Sequence, residues 1–199
     1  MVVRVTLLTA AATAAVRAAR FDPGEGLDEP GRAAARAAAD RVPRGGRTVL
    51  TAPSARCRET CAELGLGPGP RIEPAVADWD LGRWRGRGLD ETARTEPDAM
   101  ADWLGDPASA PHGGESLLDL RARVGGWLDG LAHGPAGRRV LAVAEAAVVR
   151  VAVLHALALP PETFWRLDVP PLSRTDLSGD GRRWNLRLGT RLEGRDAGP

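Results

Sequence analysis

The side chains able to do acid–base or nucleophilic chemistry are few in this chain, and their spacing limits what they can do together. Of the three histidines, His112 lies in a glycine- and proline-rich stretch. His133 sits beside Gly134 after a helical pattern and reads as its cap. His155 lies inside the apolar run Val151-Ala-Val-Leu-His-Ala-Leu and reads as a packed helix residue. Cys57 and Cys61 are four apart, so on a helix both thiols share one stripe. This is not a CxxC redox motif, no second pair completes a metal site, and core packing is the expected role. No grouping of His, Cys and acidic residues reaches metal-ligand spacing, so neither a metal nor a cofactor is expected. The chain has six tryptophans, two phenylalanines and no tyrosine. Trp127 and Trp165 read as core. Trp79 and Trp84, the latter inside Arg83-Trp-Arg-Gly-Arg87, are candidates to stack on a planar ligand or to carry cation contacts.

The elements that would position these residues follow from hydrophobic periodicity. Val2 to Leu8 is a continuous apolar run with β-branched residues, short enough for a buried strand. Asp28 to Val42 is alanine-rich with helical spacing and ends at Pro43 and Gly45-Gly46. Thr48 to Thr51 is a second short strand; Pro53 then opens a helix to about Leu64, stopped by Gly65 and Gly67. Glu115 to Leu131 is an amphipathic helix whose apolar face includes Leu117, Leu118, Leu120, Val124 and Trp127. Val140 to Val143 is another buried strand, and Val148 to Leu157 a mostly apolar helix. Residues 66–114, rich in Gly, Pro, Trp and Arg, read as a long irregular excursion of the kind that caps a ligand crevice. Thr175 to Leu188 carries a hairpin signal centred on Gly179-Asp-Gly181. Alternating strands and helices predict an α/β fold, a three-layer sandwich with a mostly parallel central sheet. One domain is expected over residues 1–190, with 191–199 a flexible C-terminal tail.

All 27 basic residues are arginine, and 26 acidic residues leave a formal charge of +1. No global field recruits nucleic acid or an acidic membrane, and the arginine-rich stretch at 83–87 is too short, and too closely flanked by Asp78, Asp80 and Asp90, for a nucleic-acid patch. The arginine content reads as coding bias rather than as a recognition surface. No apolar run approaches the ~20 residues of a membrane span, and no signal-peptide pattern opens the chain, so a cytoplasmic location is expected.

Five segments, taken in order, resemble the histidine phosphatase (phosphoglycerate mutase-like) superfamily. Arg4-Val-Thr-Leu-Leu-Thr-Ala-Ala-Ala-Thr13 is similar to the family's opening strand, where Arg-His-Gly-Glu-Thr would stand at positions 9–13. Thr51-Ala-Pro-Ser-Ala-Arg56-Cys-Arg-Glu-Thr60 resembles its Ser-Ser-Pro-x-x-Arg-Ala-x-Glu-Thr element, which puts an arginine on phosphate. Asp78-Trp-Asp-Leu-Gly82-Arg-Trp-Arg-Gly86 resembles a stretch whose first acid protonates the leaving group. Pro111-His-Gly-Gly-Glu-Ser116 resembles the Pro-Gly-Gly-Glu-Ser element of small phosphatases such as those acting on α-ribazole phosphate. Val140-Leu-Ala-Val-Ala-Glu-Ala-Ala-Val-Val-Arg150 resembles the second signature, in which a strand ends on His-Gly-Gly. The resemblance implies a crevice beyond the C-terminal strand ends, bounded by Thr9, Ala10, Arg20, Arg56, Asp78, His112 and Glu145.

The departures change the chemistry that resemblance implies. A methyl group at Ala10 cannot replace a nucleophilic imidazole, and the Thr9 hydroxyl cannot replace a guanidinium fork on phosphate oxygens. Glu145 puts an anion where a second histidine would stand, so with Arg56 against Asp78 and Glu145 the sign of the site inverts. An ion pair between Glu145 and Arg56 is the plain structural expectation. The functional expectation is a non-catalytic, pseudo-phosphatase domain that uses the crevice to bind a small molecule or a protein partner. The alternatives are a repurposed enzyme, with Glu145 as base, Arg56 as anion anchor and Asp78 as a candidate acid, and an atypical α-ribazole phosphate-type phosphatase relying on His112.

Overall fold

The computed structural model describes residues 2–188 other than 44, 68 and 136. The apolar N-terminal run forms β1 (Val3–Thr9), buried at every position but Arg4, as a strand covered on both faces must be. Thr13 caps a single turn, α1 (Ala14–Arg17), and Asp28 caps α2 (Glu29–Ala38) through a 2.9 Å bond from the Gly31 amide. β2 (Thr48–Thr51) leads through Pro53 into α3 (Ala55–Glu63), where Ser54 accepts from the Cys57 amide as the N-cap. Pro53 thus precedes the cap instead of occupying the first helical turn. A short β3 (Arg71–Ile72) follows, then α4 (Leu89–Thr95) and α5 (Pro97–Gly105). The expected helix at 115–131 is α6 (Leu117–Ala132), opened by a reciprocal Ser116–Asp119 capping box. β4 (Arg139–Ala144), α7 (Ala146–Ala156) and the hairpin β5 (Arg174–Gly179) and β6 (Trp184–Arg187) complete the chain as described.

The six strands lie in the order β3-β2-β4-β1-β5-β6. β3, β2, β4 and β1 run parallel, while β5 and β6 form an antiparallel edge. From β1 the chain passes to β2 and leaves a gap that β4 later fills, so chain order reverses there. Register makes the reversal chemically useful: Thr9 lies opposite Ala144 and Thr51 opposite Val143. Three strands therefore end level and deliver Ala10, Ala52 and Glu145 to one edge of the sheet, where open α/β folds place their ligand crevice. Helices α2 and α3 pack on one another, as do α6 and α7, supplying the outer layers. The second pair approaches closely at Gly125, where a Cβ would lie 2.4 Å from the His155 ring. That ring bonds Asp129 at 3.0 Å, and His133 caps α6, both in structural roles. Among the described residues, no helix is long and apolar enough to cross a membrane.

Several expectations need correction. Residues 66–114 are not one irregular excursion, since they carry β3, α4 and α5. Their order comes from an aromatic cluster: Trp84 stacks on Phe21 with centroids 5.7 Å apart, and Trp103 meets Phe21, Trp79, Trp84 and Trp165. Trp84 is fully buried in that cluster and offers no face to a planar ligand, while Trp79 is 7% exposed and borders a cleft with Phe21 and Asp78. Trp127 is core as expected, but Trp165 keeps 38% of its surface exposed, and Leu118, assigned to the buried face of α6, keeps 41%. The proposed tail at 191–199 lies outside the described residues.

Candidate functional site

Deep in the crevice one guanidinium meets three carboxylates. Arg56 projects from the first turn of α3 and is buried. Its Nη2 donates to Asp78 Oδ2 at 2.9 Å, and its Nε lies 3.4 Å from Glu145 Oε1 and 3.7 Å from Asp22 Oδ2. The ion pair expected between Glu145 and Arg56 is therefore present, as part of a larger cluster. Glu145 stands at the N-cap of α7, yet its side chain does not cap the helix. Oε1 instead accepts from the Ser54 hydroxyl at 2.5 Å, and Oε2 is buried with no hydrogen-bond partner. Burial works against the charge on Arg56, but Asp78, Glu145 and Asp22 outweigh it and hold the guanidinium above its ordinary value. Burial raises the Asp78 carboxyl to about 7, with the charge of Glu145 adding to the rise and Arg56 opposing it.

Asp78 is held in place by a residue that sequence reasoning did not single out. Arg123, on α6, donates to the carbonyls of Ala75 and Ala77 at 3.0 Å each and to that of Asp78 at 3.3 Å. It also forms a two-pronged pair with Glu115 at 2.8 and 2.7 Å. The following loop is pressed against residues 112–115 so tightly that a Cβ at Gly114 would lie 2.0 Å from the Asp80 carbonyl. This explains the second glycine of the Pro-His-Gly-Gly-Glu-Ser element.

The crevice has a volume of about 340 Å³. Its walls bring together Thr9, Ala10, Arg20, Arg56, Asp78 and Glu145 from the expected set, and add Phe21, Asp22, Leu81, Arg150 and Val169. His112 is not among them. It is 1% exposed, its Nδ1 accepts from the Gly114 amide, and its ring lies 5.1 Å from that of Trp84. Burial lowers its pKa, favouring a neutral ring. Thr9 reaches the crevice, but its hydroxyl is taken up by Ser173 and the Pro170 carbonyl, the latter at 2.6 Å. Arg20 donates to the Gly86 carbonyl, and Arg150 donates to that of Leu167 while lying over Phe164. With Arg20 and Arg150 included, three guanidiniums balance the carboxylates of Asp22, Asp78 and Glu145 around the lining. The expected inversion of sign is therefore local to the deep end, around Arg56.

Among the described residues, no histidine or cysteine lines this space. Ala10 contributes a methyl group, and Cys57, although close to Glu145, is fully buried, with burial first and the Glu145 charge second pushing its thiol well up. A protonated, inaccessible thiol is inert. Cys61 is likewise buried and raised to about 11. Among the described residues, no group of three or more His, Cys, Asp or Glu could hold a metal ion.

An α/β sheet with a crevice at the reversal of strand order, an arginine at its base and an acid on a neighbouring loop is the arrangement expected of the family that the five segments resemble. The chain belongs to the histidine phosphatase superfamily (branch 1), whose family model matches residues 10–190. Within it, the chain is 30% identical over 162 residues to the bifunctional protein Rv2228c of Mycobacterium tuberculosis, covering 78% of this chain and 44% of that one. It is 33% identical over 100 residues to glucosyl-3-phosphoglycerate phosphatase of the same organism, covering 49% and 45%. The chain thus spans less than half the length of the curated relatives it matches. The solved structure of a mycobacterial glucosyl-3-phosphoglycerate phosphatase complexed with VO3 superposes with a TM-score of 0.80 at 28% identity, over 93% of this chain and 97% of that one.

Proposed function

We propose that this protein is a non-catalytic member of its superfamily, which keeps the crevice to bind a small molecule or a protein partner. The observation that carries this reading is the occupation of Arg56: the guanidinium that would take a phosphate is already held by Asp78 and Glu145, with Asp22 beside it. An incoming phosphate dianion would meet these carboxylates, and two like unit charges ~4 Å apart repel by about 1 kcal/mol in water and about 4 kcal/mol at an effective dielectric of 20. Opposite them stands Ala10, which cannot form a phosphoenzyme. Two unbridged thiols, Cys57 and Cys61, are in keeping with a cytoplasmic setting.

A second reading, an altered phosphomonoesterase, is favoured by the 28% identity to the mycobacterial phosphatase and by the raised carboxyl of Asp78. In it Glu145 attacks phosphorus, the bond to the leaving oxygen breaks, Asp78 gives its proton to that oxygen, and water then cleaves the acyl phosphate. Assay with p-nitrophenyl phosphate between pH 4 and 9 separates the two. The non-catalytic reading expects no turnover. Turnover abolished by Glu145→Gln establishes the second reading, and turnover abolished by His112→Ala points to a displaced histidine, despite its burial.

A further inference from the structure

The opposite end of the sheet carries a concave surface with a different charge. Arg4 on β1 lies directly opposite Arg139 on β4 and, on its other side, opposite Ser178 on β5. Asp176 is two residues from Ser178 on β5 and lies opposite Arg187 on β6. Because side chains two apart on a strand share a face, Arg4, Arg139, Arg174, Asp176 and Arg187 project on one side. Arg47, just before β2, completes the row, and a groove of about 360 Å³ runs between them.

Arg4, Arg139, Arg174 and Arg187 line this groove with a single carboxylate among the described residues, and that one is already engaged. Asp176 Oδ2 pairs with Arg174 at 2.8 Å and Oδ1 accepts from the Thr6 hydroxyl at 2.7 Å. Among the described residues, no carboxylate lies within ion-pair distance of Arg4, Arg139 or Arg187. Burial first, and then the charges of Arg139 and Arg174, lower the pKa of Arg47, with Asp176 opposing them. Like charges directly opposite on neighbouring strands destabilise a sheet, so the charge of Arg4 facing that of Arg139 opposes folding.

We propose that this groove is a binding site for a linear oligophosphate chain. Guanidinium forks match phosphate oxygens two at a time. The row crosses from β2 to β6, four strand intervals of ~4.8 Å or about 19 Å in all, longer than one phosphate and suited to a chain of them. Among the described residues the groove lining contains no aromatic side chain, and so no stacking platform of the kind on which single-stranded nucleic acids rest. The half-buried Ser178 and the buried Thr6 supply neutral polar neighbours without adding negative charge. The site is separate from the crevice, since the two share no lining residue.

The test is calorimetric titration of the whole chain with sodium tripolyphosphate at about 50 mM salt. Binding is expected, weakened at least tenfold by Arg4→Gln/Arg139→Gln and within twofold of the parent in Arg71→Gln/Arg94→Gln, which removes the same charge elsewhere. Raising salt to about 200 mM should weaken the parent severalfold, as phosphate contacts do. Absence of binding, or equal weakening in both double variants, overturns the proposal. A single-stranded oligonucleotide binding more tightly than tripolyphosphate also overturns it, and reassigns the groove to nucleic acid. Circular dichroism checks folding, and Arg187→Gln alone provides a milder variant with the same expected direction.

Discussion

The two ends of β1 and β4 handle charge in opposite ways. At their C-terminal ends the carboxylates of Asp22, Asp78 and Glu145 crowd around Arg56, with Glu145 2% exposed and Arg56 8%. At their N-terminal ends the exposed Arg4 and Arg139 face each other, and among the described residues no acid pairs with either. Burial is the difference. A buried charge must be paired or it unfolds its surroundings, whereas an exposed one is screened by water and salt and can stay unpaired for another purpose. In the crevice Arg56 is held as internal structure by its carboxylates, and among the described residues the unpaired basic charge of the sheet lies at the other end.

The sharpest way to break this contrast is Arg56→Met. It leaves Glu145 and Asp78 facing each other without a counter-charge, and removal of one member of such a buried pair costs about 3–5 kcal/mol. Urea unfolding would read this as a large fall in midpoint. A loss under about 1 kcal/mol would mean that the cluster is wetter and less coupled than its geometry implies. Next in size is Arg123→Ala, which frees three carbonyls and the Glu115 carboxylate that together hold the Asp78 segment. Charge-assisted bonds of this kind are worth roughly 1.5–3 kcal/mol, and the same unfolding assay should show a loss in that range.

A smaller and more specific effect comes from Asp78. Its carboxyl is raised to about 7 in the folded protein, against about 3.9 for an unfolded aspartate. Between those values the folded state binds a proton that the unfolded state does not. The stability this group contributes is thus complete below about pH 4 and is lost as pH rises toward 7, with a slope approaching about 1.4 kcal/mol per pH unit for one proton. Comparing parent and Asp78→Asn by urea unfolding at several pH values isolates the slope, which should vanish in the variant. An unchanged slope assigns the titration to another group.

Much of the fold was legible because it is written locally. The strand at 48–51 is bounded as expected, and the caps at Asp28, Ser54 and Ser116 sit where short polar residues precede apolar helical runs. The five family-like segments carry Ala10, Arg56, Asp78 and Glu145, which the fold sets in the walls of one crevice. What escaped was set by contacts distant in sequence. Asp22 joins Arg56 across 34 positions and Arg123 reaches Ala75 across 48, and no periodicity encodes either. The tryptophans misled because an arginine-rich neighbourhood reads as surface, while Trp84 is buried and its indole donates to Glu96 at 3.2 Å. Arg87 and Arg83 also pair with Glu96 and, with the Trp84 indole, hold its carboxyl down to about 2, so the charged run is tied to the aromatic cluster through one carboxylate.

At the other end of the strands the expected sign reverses. Arg4→Gln/Arg139→Gln removes two like charges from directly opposed positions. Cross-strand pairs of this kind change stability by about 0.2–1 kcal/mol, so the variant should be slightly more stable than the parent at low salt. Added salt should shrink that advantage, since it screens the repulsion in the parent. Thermal unfolding at two salt concentrations is sufficient to see both. A variant less stable than the parent would mean that the two arginines pack their aliphatic stems on the sheet, and that their closeness serves the core. Gain here and loss at Arg56 would together show one sheet using charge as structure at one end and holding it in reserve at the other.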